Sequence, residues 1–515
     1  MKKILTMGFK AVFLILAVGS LFVACSGKKS TTEFVNVTHY WTGDIPVNGQ
    51  FEIVQAKWND YLKEKLNTNM TVKWIEWADW YTKYNLLLAS GEPIDLVATS
   101  STWLDLWPNA QRDAFMPLDK LLPVYAPTAW KEIPARDWEQ AKYNGKIVGI
   151  PENNYTQYVN HGMFYRGDWA KEFGITEPIT DFETFGKYLQ GIKDKKPGVI
   201  PWDAVGSGSS VGVELWGGWV LTQTDAVDPR TYIGNNLAVL WAPNYEQKYT
   251  LYSPIFDDTF LEFAKLTKKW GDAGYWRMDV LNFQGNTRDL MKAGKTGADE
   301  HHTQTYINDI KPNMDERQPG SDARFFAWSD TQGNLVGEPI THGATSIGAH
   351  SKNPERALMV YDMFRSDKYF YQLVQYGLEG KHYVIKDGRR FDPPDFVRAQ
   401  QEWVSNFWGG RVDKYEIPNA RVFSGYKELW AKFDKIVKPY PYGRFVFDKT
   451  PIEGELAALS DVANKYFPAI CWGKAGDPEA AVKKFREQLK AAGFDKFQTE
   501  VQRQITAFQK VMEGK

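Results

Sequence analysis

The chain has 515 residues, a net charge of -1 and a pI near 6.7. That length allows two or three domains with a large core, and near-neutral charge without a basic block argues against nucleic acid as a partner. Aromatic residues make up 15% of the chain, more than a core alone asks for, and amphipathic rings suit a protein that stacks on sugars.

Lys2, Lys3 and Lys10 precede an apolar run from Ala11 to Ala24. A basic start and an apolar stretch too short to span a bilayer read as a signal peptide over 1–24. The run ends Leu21-Phe-Val-Ala-Cys25-Ser-Gly27, which resembles the bacterial lipobox, with Phe22 where the commonest pattern has Leu. The resemblance implies cleavage before Cys25 and lipidation of that residue. The one other cysteine is Cys471, so a lipidated Cys25 leaves no intramolecular disulfide. Residues 25–32 form a short polar tether.

Residues 34–41 alternate as a strand. Phe51, Val54, Trp58, Leu62 and Leu66 then repeat at helical spacing. Met70, Val72 and Trp74 predict a second strand, Trp80 to Ala89 a helix stopped by Gly91, and Ile94 to Ala98 a third strand. This β-α-β-α-β run predicts a mostly parallel sheet with helices on both faces. Lys146 to Ile150 is a short strand. Pro151 pushes its neighbour into an extended conformation, a polar run follows, and Met163-Phe-Tyr165 starts a new strand that turns into a helix at Trp169. A strand leaving one region and a strand entering another is what a two-lobed protein needs at its hinge.

Further on, Gly206 to Gly212 reads as a flexible loop; it lacks the Gly-Lys-Ser/Thr ending of a phosphate loop. Trp216-Gly-Gly-Trp219 follows it. Helices are expected from Phe260 to Ala273 and from Thr287 to Lys295. Asp299-Glu-His-His302 reads as a polar loop. Its residue types invite a metal, with His39, His161 and His342 as further ligands, but adjacent residues seldom chelate one ion and no spaced motif exists; no metal or cofactor is expected. Asn353 and Pro354 open a helix with Leu358, Tyr361 and Phe364 inward. Asp477 and Pro478 open another, stopped by Gly493, and Asp495 opens the last.

Five stretches carry a family resemblance: Leu88-Ala-Ser-Gly-Glu-Pro-Ile-Asp-Leu-Val97; Phe115-Met-Pro-Leu-Asp-Lys-Leu-Leu122 with Tyr125-Ala-Pro127; the passage Gly149 to Ile175; Ser351-Lys-Asn-Pro-Glu-Arg-Ala357; and Tyr376-Gly-Leu-Glu-Gly-Lys-His-Tyr383 with the tail Leu489 to Gln504. Together they resemble extracellular solute-binding proteins, the receptor subunits of ABC importers, in the LipO-like subgroup of lipoproteins with a C-terminal domain of unknown function. The resemblance implies an α/β, two-lobed, type II periplasmic-binding-protein-like fold with a ligand cleft between lobes. The first lobe is expected over 33–151 plus 341–375, and the second over 152–339 plus 376–515, including the helical C-terminal region. It also implies a monomeric, lipid-anchored, extracytoplasmic receptor without enzymatic activity, delivering a sugar or oligosaccharide to a permease and its ATPase. The rival readings are a secreted glycosidase, which needs two carboxylates at a set separation, and a surface adhesin.

Ligands of open α/β sheets sit outside the carboxyl ends of the strands. That rule nominates Trp41, Asp44, Ser100, Trp103, Glu152, Asn154, Tyr155 and His302, and a Gly-rich loop adds Trp216 and Trp219.

Overall fold

The structure is a computed structural model that describes residues 33–78, 80–152, 160–206 and 211–514. The expected signal peptide, Cys25 and its tether lie outside the described residues.

The N-terminal part builds a five-stranded sheet. Strand β1 (Val35–Thr42) pairs in parallel with β2 (Thr68–Ile75) along its whole length and with β3 (Leu96–Thr99) at His39 and Tyr40. β4 (Ile150–Pro151) lies at the far edge. Helix α1 (Gln50–Leu66) covers one face, burying Phe51, Val54, Trp58 and Leu62 at spacings of three and four. Helix α2 (Trp80–Ala89) runs into Gly91 at φ +77°, a left-handed position that favours glycine.

A second body begins with β5 (His161–Arg166), the centre of a three-stranded antiparallel sheet between β6 (Ala298–His302) and β7 (Ala323–Ala327). Gly162 is obligatory there: a Cβ would lie 2.0 Å from the Phe326 carbonyl oxygen. The chain returns through β8 (Ala344–Ser346), which slots antiparallel between β3 and β4. The order β2-β1-β3-β8-β4 therefore has the returning strand inserted between two outgoing ones.

Two large cores follow this division. One gathers Val37, Trp41, Trp58, Ile150, Leu358, Phe364 and Tyr371. The other gathers Met163, Phe185, Trp216, Trp270, Trp276, Phe326 and, from the C-terminal helices Glu453–Cys471, Pro478–Ala491 and Phe494–Met512, Trp472, Phe485, Phe497 and Ile505. Residues of the C-terminal helices thus share a core with the second body. Residues 376–417 depart from expectation: Tyr376, Tyr383, Phe407, Val412 and Ile417 lie in the first core. Their signature is tied to α1, because His382 Nε2 and Gln50 Oε1 are hydrogen-bonded at 3.0 Å. The chain consequently makes a third passage between bodies, from Ile417 in the first core to Val422 and Phe423 beside Tyr306 in the second. The first two passages lie near Glu152 and Thr341. Buried Arg365 underpins the first, its Nη2 donating to the carbonyls of Pro151 and Glu152 at 3.1 and 3.2 Å.

Candidate ligand-binding cleft

At the carboxyl end of β3 the chain turns sharply. The buried Ser100 Oγ accepts the N–H groups of Thr102 (3.0 Å) and Trp103 (3.3 Å), which fixes the loop. Trp103 then meets Trp77 at 5.9 Å, Trp80 at 5.9 Å and Trp408 at 6.4 Å between ring centroids. Four indoles from three chain segments converge at the carboxyl ends of the parallel strands. Trp408 is anchored by its N–H, which donates to the Thr42 carbonyl at 2.8 Å, yet 42% of it is exposed, and Trp77 is 37% exposed. Large rings left open to water in a cluster mark a recognition surface more than a core.

The same loop is pinned to the second passage. Ser101 N–H donates to the Thr341 carbonyl (2.9 Å), Thr341 Oγ1 donates to Ser101 Oγ (2.8 Å), and Thr102 Oγ1 lies 2.6 Å from His342 Nδ1. His342 is 3.3 Å from Glu338, whose two carboxylate oxygens each accept from Arg230 Nη2 at 2.7 Å. A polar chain therefore runs from the first body, through the hinge, to the second. Burial opposes the charge on Glu338, but Arg230 and His342 overcome it and hold the carboxyl at about 2.

On the second body, the ends of β5 and β6 bring three histidines together. His161 pairs across the sheet with His302, and its Nδ1 lies 2.6 Å from Glu300 Oε1 and 3.7 Å from Glu214 Oε2. Burial works against an imidazolium, yet Glu214 and Glu300 together raise His161 to about 9. Burial pushes the Glu300 carboxyl up, and its contact with His161 pulls it back. His301 and His302 are pushed well down, first by burial and then by the nearby positive charges of His161 and Arg288, so both are neutral. Among the described residues no group of three His, Cys, Asp or Glu side chains could hold a metal ion.

A cavity of about 270 Å³ lies where the loop 101–105, the segment 229–236 and residues 440–449 meet. The two bodies and the approach to the C-terminal helices all contribute walls, among them Ser101, Asp105, Arg230, Tyr440 and Tyr442.

The nominated residues divide. Ser100 and Trp103 stand at this cleft, Ser100 as the loop's internal anchor. Glu152 sits at the first passage with its Oε1 accepting from the Arg411 N–H at 3.1 Å. Asp44 is exposed after β1, and His302 is partly exposed at the end of β6. Asn154 and Tyr155 lie outside the described residues. Trp41 and Trp216 are corrections: both are fully buried. Trp41 shares the face of β1 with Val37 and His39, under α1 and Phe407, and its indole donates to His39 Nδ1. Trp216 and Trp219 are not in a loop but in the helix Val211–Gln223, donating to the carbonyls of Ala238 and Thr259. Trp219 is half-buried against Phe182 and Phe263. The glycines there permit contact rather than a turn: a Cβ on Gly218 would lie 2.4 Å from the Trp328 ring. Asp299 to His302 form strand, not loop, and His39 is buried in the other body, far from that cluster's sheet. Trp77 was legible, since it follows β2 as Trp103 follows β3. Trp408, Arg230 and Tyr440 carried no such signal.

Residues 47–369, well over half of the chain, match the model of the bacterial extracellular solute-binding protein family, and the chain belongs to that family. Residues 441–510 match a domain of unknown function, DUF3502. The chain is 23% identical over 492 residues to a carbohydrate ABC transporter substrate-binding protein of Streptococcus pneumoniae, covering 92% of this chain and 90% of that one. It is 22% identical over 346 residues to the lipoprotein LipO of Bacillus subtilis, 64% of each chain. In three dimensions it resembles the N-glycan transport solute binding protein NgtS of Streptococcus pneumoniae, with a TM-score of 0.71 and 19% identity over 93% of this chain and 99% of that one. The two-lobed α/β architecture is of type II, as expected.

Proposed function

We propose that this protein is the lipid-anchored receptor of an ABC importer and that it captures a sugar or oligosaccharide in the cleft between its two bodies. The observation that carries this reading is the platform of Trp77, Trp80, Trp103 and Trp408 at the strand ends beside the hinge. Pyranose rings present C–H faces that stack on indoles, and hydroxyls that need partners, since each buried without one costs ~1–3 kcal/mol. Membership of the solute-binding family and the carbohydrate- and glycan-handling relatives support it. The lobes are 33–151 with 344–417, and 161–339 with 422–514. A ligand touching both favours the closed state, which a permease then recognises. The protein binds without turnover and acts as a monomer outside the cytoplasm, held by lipid on Cys25; among the described residues no helix is long and apolar enough to cross a membrane. The test is a thermal-shift screen against neutral glycans, uronates and peptides, because a ligand of the folded state raises Tm by mass action. A glycan should raise Tm; a rise with peptides alone refutes the reading.

A further inference from the structure

The region after residue 440 matches a domain to which no role is attached. We propose that it is part of the ligand site: the strap Tyr440 to Lys449, held by the C-terminal helices, closes a pocket for one terminal neutral pyranose of a glycan whose remainder lies on the tryptophan platform. This rests on the sugar reading given above and adds to it a second subsite, a charge class and a minimum chain length.

The strap is fixed from both sides. Gln111 of the first body donates to the Phe447 carbonyl at 3.2 Å, and Val446 packs beside Trp107 and Tyr143 of that body. On the other side the Asp448 N–H donates to Gln504 Oε1 at 2.9 Å, and Gln504 Nε2 donates back to the Asp448 carbonyl at 2.7 Å. Gln504 belongs to the last helix, so that helix determines where the strap lies.

The strap presents ring faces rather than hydroxyls. Tyr440 Oη donates to the Asp228 carbonyl at 3.3 Å, and Tyr442 Oη donates to the Lys248 carbonyl. With their polar ends tied into the second body, the two rings lie 5.6 Å apart at 73°: half-buried Tyr440 forms the wall, and Tyr442, 2% exposed, backs it. Such a wall suits the C–H face of a sugar.

Among the described residues, the one cation set into this pocket is already paired. Arg230 is neutralised by Glu338 and lies with its guanidinium carbon 4.9 Å from the Tyr440 ring centroid. Asp105 accepts from Asn85 Nδ2 at 2.9 Å. Lys449 is exposed at the rim, where solvent screens it. A uronate buried here would meet the Asp105 carboxylate, with only the solvent-screened Lys449 at the rim as a cation, and a buried carboxylate without a close counter-charge is strongly disfavoured. A neutral ring suffers no such penalty.

The volume sets the length. About 270 Å³ falls just under the ~300–1,000 Å³ of sites that enclose a whole small ligand. It takes the end of a chain, not the chain. None of Trp77, Trp80, Trp103 and Trp408 lines the pocket, yet the loop Ser100 to Asp105 borders both sites: Trp103 faces the indoles while Ser101 and Asp105 face the pocket. A glycan passing over that loop occupies both.

The experiment is calorimetry on the full mature chain with three probes: Man5GlcNAc, Man1GlcNAc and an alginate trisaccharide. Wild-type protein should bind Man5GlcNAc at least tenfold tighter than Man1GlcNAc, and the uronate most weakly. Tyr440→Ala should reduce the ratio of the two neutral glycans to near one while leaving Man1GlcNAc within about twofold, and Tyr440→Phe should keep the wild-type ratio. As a measurement that needs no variant, amide exchange on wild-type protein should show 440–449 protected by Man5GlcNAc and not by Man1GlcNAc. An unchanged ratio in folded Tyr440→Ala, absence of that protection, or tighter binding of the uronate than of both neutral glycans overturns the inference while leaving sugar capture standing. Binding of neither neutral glycan by wild-type protein, together with no rise in Tm from any glycan in the thermal-shift screen, overturns both.

Discussion

Glu338 joins the hinge to the second lobe, and replacing it with Gln should be costly. Its side chain is 8% exposed, and both carboxylate oxygens take Arg230 Nη2 at 2.7 Å. Against the penalty of burial, Arg230 and His342 hold this carboxyl at about 2, where an ordinary glutamate titrates at 4.5. That difference corresponds to ~3 kcal/mol of folding free energy. Because the folded value is depressed, the stabilisation is present above pH 4.5 and is lost as pH falls towards 2. Removing one member of a buried pair costs ~3–5 kcal/mol in comparable cases, largely because the partner is left charged and alone. The two routes agree, so Glu338→Gln should lose ~3 kcal/mol at pH 7. Arg230→Met should lose a similar amount, and the double variant should fall well short of the sum, with a coupling of ~2 kcal/mol. Urea unfolding followed by tryptophan fluorescence measures all three. A loss below ~1 kcal/mol for Glu338→Gln, or additive single variants, would show that the pair does not hold the hinge.

Four further outcomes are expected. His161, raised to about 9 by Glu214 and Glu300, should stay protonated at pH 7 in NMR titration, and its contribution to stability should decline as pH rises through 9, and on the acid side as its carboxylate partners take protons; His161→Gln should remove the alkaline slope, and an imidazole titrating below 6.5 would contradict it. Trp103→Ala should weaken glycan binding at least tenfold, about 1.4 kcal/mol, in a protein that stays folded. Trp216→Ala should instead cost ~3–5 kcal/mol of stability, as loss of a fully buried ring does; calorimetry and unfolding on both variants separate the two roles. Cys25→Ser should abolish lipid labelling and release the protein from membranes, and persistent labelling would remove Cys25 as the anchor.

The framework of the fold was legible because its signals are local. Periodicity at Phe51, Val54, Trp58 and Leu62 places α1, and alternation from Val35 to Trp41 places β1, since each pattern depends on which face is buried. Trp41 shows where local reading ends. Its position at the end of a strand is visible in sequence, but which face of that strand α1 covers is a tertiary fact, and parity puts Trp41 on the covered face beside Val37. Trp216 fails for another reason: glycines at 217 and 218 read as loop, whereas in the structure Gly218 admits the Trp328 ring against a buried helix. The cleft itself is assembled from distant segments. Trp408 reaches Trp103 only because 376–417 folds back on the first lobe, and Arg230, Glu338 and Tyr440 meet across some two hundred residues of chain. No spacing rule connects such residues.

Capture by closure around a glycan is tested most directly by small-angle X-ray scattering on the chain lacking residues 1–25, with and without a saturating glycan that raises its Tm. Three passages, near 152, 342 and 420, join two separate cores, so a ligand that contacts both should draw them together. The account predicts a smaller radius of gyration in the bound state and no change in a Trp103→Ala, Tyr440→Ala double variant. Binding confirmed by calorimetry with an unchanged radius in the wild-type protein would contradict it.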